Sequence, residues 1–171
     1  MFTEISCEEE VLEGMCYQKL EIEEKVRRTE EMLKLMEIEH LRKANPYDLS
    51  GGEQQRLALA KVMVSNPDIL LLDEPTKGLD PFFKQTLGRI LRSLCKENKT
   101  IFMVSHDIEF CAEFGDRCSM FFDGEIATSG SAKEFFSGNN FYTTVENKLT
   151  RKWCEGIITG EEARSWIRSL L

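Results

Sequence analysis

Ile69-Leu70-Leu71-Leu72-Asp73-Glu74-Pro75 is the stretch that decides the expected fold of this 171-residue chain. Four consecutive apolar residues bounded by turn formers are typical of a strand that is buried on both faces. A second strand of this kind is predicted at Thr100–Val104, and a helix over about residues 82–97 lies between the two. Strands that alternate with helices predict an α/β fold with a parallel sheet, in which ligands bind at the carboxyl ends of the strands.

The other expected elements are mostly helices. Apolar residues recur at helical spacing over residues 21–37, and a weaker pattern of the same kind covers residues 8–19. Capping and turn signals predict the rest: a helix from Ser50 to about Val64, a short helix over 107–114, hairpin strands near 117–122 and 125–128, a short helix capped by Ser131 and Glu134, and an amphipathic helix from Thr159 to Leu171.

Composition excludes several classes of function. The net charge is -8, and residues 1–41 hold twelve Glu against five Lys or Arg, so a nucleic-acid binder with a basic face is not expected. The six cysteines form no C-x-x-C pair, which argues against a zinc site or a disulfide framework. No apolar run is long enough to span a membrane, so we expect a soluble, cytoplasmic protein that reaches a membrane only through partners.

Leu49-Ser50-Gly51-Gly52-Glu53-Gln54-Gln55-Arg56 is the first stretch that suggests chemistry. An ordinary S-x-x-E capping box explains Ser50 and Glu53, but it leaves the two glycines unexplained. Glycine in the first turn costs helix stability, so we expect a compensating role. Without a Cβ the backbone allows a ligand to approach closely, and a helix start attracts anions. The stretch therefore predicts a phosphate site.

Polar residues also follow each predicted strand. Asp73 would lie at the carboxyl end of its strand, where it can hold Mg²⁺ through water, and Glu74 is placed to polarise an attacking water. His106 follows the next strand and would donate to a terminal phosphate. The alternatives are a core strand that ends in a polar turn and a structural histidine.

Taken together, these residues resemble the ATP-binding-cassette (ABC) ATPases, a resemblance that covers residues 1–137 in order and spacing. Leu49–Arg56 resembles the family signature, and Ile69–Pro75 resembles the Walker B strand with the catalytic glutamate. Gly78-Leu79-Asp80 is similar to the D-loop, and His106 to the switch histidine. The resemblance implies a P-loop NTPase-like (RecA-like) nucleotide-binding domain, here incomplete, with a helical signature subdomain.

The resemblance also implies roles and partners. Asp73 would order Mg²⁺, Glu74 would activate water, and His106 would contact the γ-phosphate of ATP. The signature would cap the γ-phosphate of an ATP held by a second ABC ATPase domain in a dimer, and Asp80 would communicate across that interface. The binding residues expected on this basis are Ser50, Gly51, Gly52, Glu53 and Asp80.

One large departure from the family concerns the phosphate-binding loop. The sequence contains no G-x-x-x-x-G-K-[ST], and Gly14 is the only glycine before Gly51. Two interpretations stay open: a fragment of a longer protein, or a truncated subunit that supplies only the signature. The intact Glu74 and His106 favour the fragment. Either version is expected to hydrolyse ATP poorly alone, and the missing half of the sheet should leave an open apolar edge.

Further stretches suggest a subfamily and a domain plan. Met1–Glu4 with the glutamates that follow, and the tail stretch Phe141–Thr144 with Asn147 and Arg151, resemble energy-coupling (cobalt or vitamin) importers. The expected plan is a helical subdomain over about residues 5–65, a RecA-like part over about 66–137, and a mostly helical extension over 138–171.

The expected function is that of an ATP-binding subunit, or a fragment of one, which couples ATP hydrolysis to solute import beneath transmembrane transporter subunits. It would lie on the inner face of the cell membrane through these partners. One alternative is a non-catalytic module that completes a partner's ATP site. Another is a DNA-repair ABC ATPase, which the acidic balance disfavours. The transported solute and the membrane partners are not encoded here.

Overall fold

The structure is a computed structural model that describes residues 2–138 and 143–170. Two compact units divide the chain: Met1–Leu87 with Ser93–Val104, and Gly88–Arg92 with Ser105–Leu171. The elements in chain order are α1 (Cys7–Glu13), α2 (Ile22–Leu35), α3 (Gly51–Met63), β1 (Ile69–Asp73), α4 (Pro81–Lys96), β2 (Thr100–Val104), α5 (Ile108–Phe114), β3 (Arg117–Phe122), β4 (Glu125–Ser131), α6 (Ala132–Gly138), α7 (Val145–Thr150) and α8 (Gly160–Ser169). In the described part of the chain, none of the helices is long and apolar enough to cross a bilayer.

Helices α1, α2 and α3 pack together in the first unit around buried side chains that include Leu33, Met36 and Leu57. The expected helix over residues 8–19 ends earlier, at Glu13, with Gly14 as its C-cap, and Gly14 lies against α3. A Cβ at Gly14 would come within 2.2 Å of the Lys61 carbonyl oxygen, so a side chain here would force α1 away from α3. The remaining residues to Gln18 form turns rather than a helix.

Strands β1 and β2 form the predicted parallel pair, with Leu71 opposite Phe102 and Asp73 opposite Val104. The prediction that both strands are buried on both faces is wrong. Leu70 and Leu72 of β1 are buried, whereas Leu71 is 71% exposed and Phe102 of β2 is 63% exposed. A parallel sheet is normally covered on both sides, and here only one side of β1 has neighbours that bury it. Among the described residues this sheet has two strands, so it has the predicted open edges and, in addition, an open apolar face.

The second unit contains the predicted hairpin of β3 and β4, which is antiparallel with an irregularity between Met120 and Phe121. Asp123 and Gly124 connect the strands, and both have positive φ, at 50° and 83°. Two consecutive left-handed residues are what a two-residue hairpin turn requires, and Asp-Gly supplies them at low cost. The sequence signal for this hairpin is confirmed.

A small core holds the second unit together. Buried Ala112 of α5, Ala132 and Phe136 of α6, and Ile158 before α8 pack in one cluster. Side chains on either side of residue 137 thus share a core, while the division of domains at that residue stays a prediction. Helix α8 begins after Thr159 with the expected capping box and ends at Ser169. The predicted end at Leu171 and the stretch Phe141-Tyr142 lie outside the described residues.

Candidate functional site

The start of α3 is a fully formed capping box. Ser50 is the N-cap, its backbone N–H donates to Glu53 Oε2 at 2.8 Å, and its hydroxyl donates to the same oxygen at 2.6 Å. These hydrogen bonds from Ser50 hold the pKa of Glu53 below its ordinary value. The Glu53 carboxylate is thus the acceptor of the capping box, and a phosphate at this position would compete with it for the Ser50 hydroxyl.

The two glycines of the signature stretch have different surroundings. Gly51 is exposed, and a Cβ added there would meet nothing within 4 Å. A Cβ at Gly52 would lie 2.8 Å from the carbonyl oxygen of Gly78, a residue with φ of +75°. Gly51 thus leaves open space beside the helix start, whereas Gly52 permits close packing against the Gly78 backbone. The open position is the one through which an anion could approach the first-turn N–H groups.

Arg56 was given no role by sequence reasoning, yet it joins α3 to the start of α4. Its Nη2 lies 2.5 Å from Asp80 Oδ2, and its guanidinium stacks 4.0 Å above the ring of Phe83. Gln55 adds a second link, because its Nε2 donates to the Pro75 carbonyl oxygen at 3.4 Å. These contacts fix the signature helix against the segment that follows β1. Charge and spacing gave no signal for them, since the partners lie 20 or more residues apart.

Asp80 is the N-cap of α4, as the Asp-Pro pair at the helix start could have indicated. Its Oδ1 accepts from the Phe83 backbone N–H at 3.0 Å. This hydrogen bond, together with the positive charge of Arg56, holds the pKa of Asp80 below its ordinary value despite partial desolvation. Its observed partners are therefore within the chain, and its role across a dimer interface stays a prediction.

Asp73 and Glu74 stand at the carboxyl end of β1. The Asp73 side chain is exposed, and a carboxylate is the kind of donor that Mg²⁺ takes while it keeps most of its waters. Glu74 is a non-glycine residue with φ of +46°, a conformation that costs on the order of 1 kcal/mol. Its N–H donates to the Val104 carbonyl oxygen at 2.8 Å, so the end of β2 holds this backbone in place. Strained backbone held by its neighbours is common at functional sites.

His106 lies two residues beyond β2 and is exposed. It belongs to the second compact unit, whereas Asp73 and Glu74 belong to the first. Asp107, the next residue, caps α5 by accepting from the Phe110 N–H at 3.1 Å. The predicted gathering of His106, Asp73 and Glu74 at one rim stays a prediction.

Comparison with known proteins gives a consistent family. Residues 1–77, which include the signature stretch and β1, match the family model described as ABC transporter. A putative ABC transporter ATP-binding protein of Bacillus cereus is 50% identical over 133 residues, which are 78% of this chain and 24% of the relative. A putative ABC transporter ATP-binding protein of Pyrococcus horikoshii is 39% identical over 136 residues, or 80% of this chain and 52% of the relative.

Solved structures agree with this family. cbiO1 from Clostridium perfringens, part of the ABC transporter complex cbiONQ, is 30% identical with a TM-score of 0.70 over 90% of this chain and 60% of its own. The dimeric bacterial ABC transporter cassette MJ0796 is 32% identical with a TM-score of 0.69 over 74% of this chain and 56% of its own. The chain thus spans about a quarter of the Bacillus cereus relative and 60% of cbiO1. Because sequence and fold both match across the signature helix and the strand after it, this chain has the fold of part of an ABC ATPase cassette and is similar in sequence to ABC transporter ATP-binding proteins.

Proposed function

We propose that this chain is part of an ATP-hydrolysing cassette in an ABC importer of the energy-coupling type. It would supply the signature at the start of α3 and the water-activating Glu74 at the end of β1. The observation that carries the proposal is the start of α3, where Gly51 leaves the helix N-terminus open while Gly52 fixes it against Gly78. An open helix start with free N–H groups is suited to a phosphate, and its fixed position lets it serve a nucleotide held by a second domain.

The residues at the end of β1 would serve the nucleotide held within the same cassette. The exposed carboxylate of Asp73 fits a Mg²⁺ ion bound through water, which would neutralise charge on the phosphates of ATP. Glu74 would accept a proton from the attacking water, and its backbone position is fixed by the bond to Val104. His106 would donate to the terminal phosphate.

The open apolar face of the β1–β2 sheet supports a cassette that is completed by further elements. Leu71 and Phe102 form an exposed cross-strand pair at its centre, with Ile69 and Val104 on either side along the strands. Apolar side chains in a row along a parallel sheet are stable in water only when other elements cover them. The P-loop-bearing part of a cassette, which would hold the ATP phosphates, is the covering element that this proposal requires.

Membrane attachment is supported by the names of the solved structures, and import by the resemblance of the tail to energy-coupling importers. cbiO1 is named as part of a multi-component transporter complex, and MJ0796 was solved as a dimer. We propose that this chain likewise acts in a dimer of cassettes beneath transmembrane subunits, on the cytoplasmic face of the membrane. Nucleic acid has no place in this proposal, given the net charge of -8.

ATP turnover in a reconstituted mixture tests the proposal. The chain is combined with a partner cassette that carries a P-loop, and phosphate release is measured for the chain, the partner and the mixture. We expect turnover in the mixture to exceed the sum of the two alone. Gly51→Glu places a negative charge in open space without a steric clash, so it should abolish the gain while the chain stays folded.

Glu74→Gln is the matched variant in this experiment. If Glu74 serves only a nucleotide bound in its own cassette, the variant should leave turnover at the partner's P-loop intact. A mixture that gains nothing over the separate proteins, or a Gly51→Glu variant as active as the wild type, would contradict the proposed role of the α3 start. If the gain survives Gly51→Glu but is lost in Glu74→Gln, the Glu74 edge serves the partner's nucleotide instead.

A further inference from the structure

The backbone at residues 2–4, called here the N-terminal segment, is held at two points of the first unit. At one point the Tyr47 hydroxyl donates to the Phe2 carbonyl oxygen at 2.8 Å, and the two rings meet edge to face with centroids 6.0 Å apart. At the other, the backbone N–H groups of Thr3 and Glu4 both donate to Glu10 Oε2 at 2.8 Å. Tyr47 lies three residues before Ser50, so the first point is close in sequence to the signature.

Glu10 is a fully buried carboxylate on α1. Burial raises its pKa, but the ammonium of Lys61 and the two backbone amides outweigh this effect and hold the pKa below its ordinary value. Lys61 Nζ lies 2.5 Å from Glu10 Oε1, and the same ammonium contacts the more exposed carboxylate of Glu13. These partners offset the cost of removing the carboxylate from water at this depth.

Lys61 belongs to α3, the helix that starts at the signature. It lies ten residues after Gly51, which is about 15 Å along the helix axis. Close packing joins α1 to the same end of α3, since Gly14 lies against the Lys61 carbonyl and Gln18 Nε2 donates to the Ser65 carbonyl oxygen at 2.6 Å. Because a packed helix is stiff, we expect a shift at Lys61 to reach Gly51 at the other end of α3.

We infer that Glu10 and Lys61 are a positioning pair through which the N-terminal segment sets the placement of the Ser50–Gly52 helix start. Tyr47 is the second link, on the approach to Ser50. The inference rests on the proposed function of that helix start as a phosphate site. Neither Glu10 nor Lys61 would touch nucleotide; both act through α3. A plain stabilising ion pair would hold α1 on α3 without connecting the two distant stretches.

Amide hydrogen exchange in the full chain tests the connection without nucleotide. Glu10→Gln keeps the shape but removes the charge, and we expect exchange to rise about tenfold both at residues 2–5 and at residues 50–55, because neutral hydrogen bonds are weaker than charge-assisted ones. Helix α5, in the other compact unit, is the internal reference and should not change.

Glu13→Gln is the matched control, because Glu13 lies on the same side of α1 and contacts the same ammonium, whereas the Thr3 and Glu4 amides donate to Glu10 and not to Glu13. It should change exchange at either stretch by less than about twofold. Tyr47→Phe removes only a hydroxyl, so it reports on the second link even if Glu10→Gln does not fold, and it should raise exchange at the same two stretches. The inference would be overturned if amide exchange in the folded variants rose at residues 2–5 but not at residues 50–55. It would also be overturned if Glu13→Gln raised exchange as much as Glu10→Gln does.

Kinetics separate positioning from plain stability. In the mixture with a P-loop-bearing cassette, Glu10→Gln should lower kcat several-fold and leave the KM for ATP within about twofold, because the partner's P-loop supplies most of the ground-state contacts. A raised KM with unchanged kcat would contradict a positioning role. If even the wild-type chain gains no turnover with the partner, the proposed function fails, while the exchange result still decides whether the two stretches are connected.

Discussion

Replacing each signature glycine by alanine in turn separates its two predicted roles. Gly51 and Gly52 are adjacent first-turn positions of α3, and neither is among the glycines with positive φ, so alanine can adopt the backbone at both. The gain in helix propensity from replacing glycine by alanine is therefore the same in the two variants. Their surroundings differ, because the new methyl group meets open space at Gly51 and the Gly78 carbonyl oxygen at 2.8 Å at Gly52.

The expected magnitudes follow from that difference. Gly→Ala in a compatible helical position stabilises a protein by about 0.5 kcal/mol. At Gly52 the overlap falls on backbone, which has to move by several tenths of an ångström, and overpacking of this kind costs about 1–3 kcal/mol. We expect Gly51→Ala to raise the free energy of unfolding by about 0.5 kcal/mol and Gly52→Ala to lower it by about 1–2 kcal/mol. The difference between the variants isolates the overlap with Gly78.

Urea denaturation followed by circular dichroism measures both changes, and a difference of about 2 kcal/mol corresponds to a midpoint shift on the order of 1 M. ATP turnover of each variant in a mixture with a P-loop-bearing cassette measures the effect on function. Gly51→Ala should be more stable yet less active, because its methyl group occupies the space proposed for the phosphate. Equal stability effects at the two positions would refute the packing argument. An active, stabilised Gly51→Ala variant would refute the phosphate site.

Two further predictions concern charge and the open sheet face. Hydrogen bonds from Arg42 and Lys43 hold the pKa of Glu8 below its ordinary 4.5, so the stability they contribute is present above that pH and is lost as pH falls through the lowered value. Glu8→Gln should accordingly lower the urea midpoint at about pH 7, by an amount that shrinks below pH 4.5; a gap that does not change down to about pH 2 would contradict this assignment. Leu71→Ser should change the free energy of unfolding by less than about 0.5 kcal/mol and reduce self-association in light scattering, whereas Leu70→Ser on the buried side should cost at least about 2 kcal/mol. Similar losses of stability in the two leucine variants would mean that the face of Leu71 is covered.

Local signals in the sequence were sufficient for most element boundaries. The capping box of Ser50 and Glu53, the one of Thr159 and Glu162, and the turn at Asp123-Gly124 were all predicted and are all present. Each involves residues no more than three apart in the chain. Hydrogen bonds of this range depend on backbone geometry that the residues themselves favour, so distant packing is not needed to predict them.

Long-range contacts account for what the sequence did not reveal at the site. The contacts of Arg56 with Asp80 and Phe83, and the ion pair of buried Glu10 with half-buried Lys61, join residues 24 to 51 positions apart. Each of these side chains would be compatible with an exposed helix surface. Their partners depend on how helices pack, and helical spacing indicates only which residues share a face.

The order and type of the strands and helices, the capping box at the start of α3 and the position of the carboxylates after β1 were determined by the sequence alone, because they arise from neighbouring residues. Tertiary structure decided that Gly51 is open while Gly52 is closed by Gly78, and that β1 is covered on one face only. The physical reason is the same in both cases. Whether space beside a residue is filled depends on elements that the chain brings there from a distance, and an apolar or glycine residue has the same local preferences in either situation.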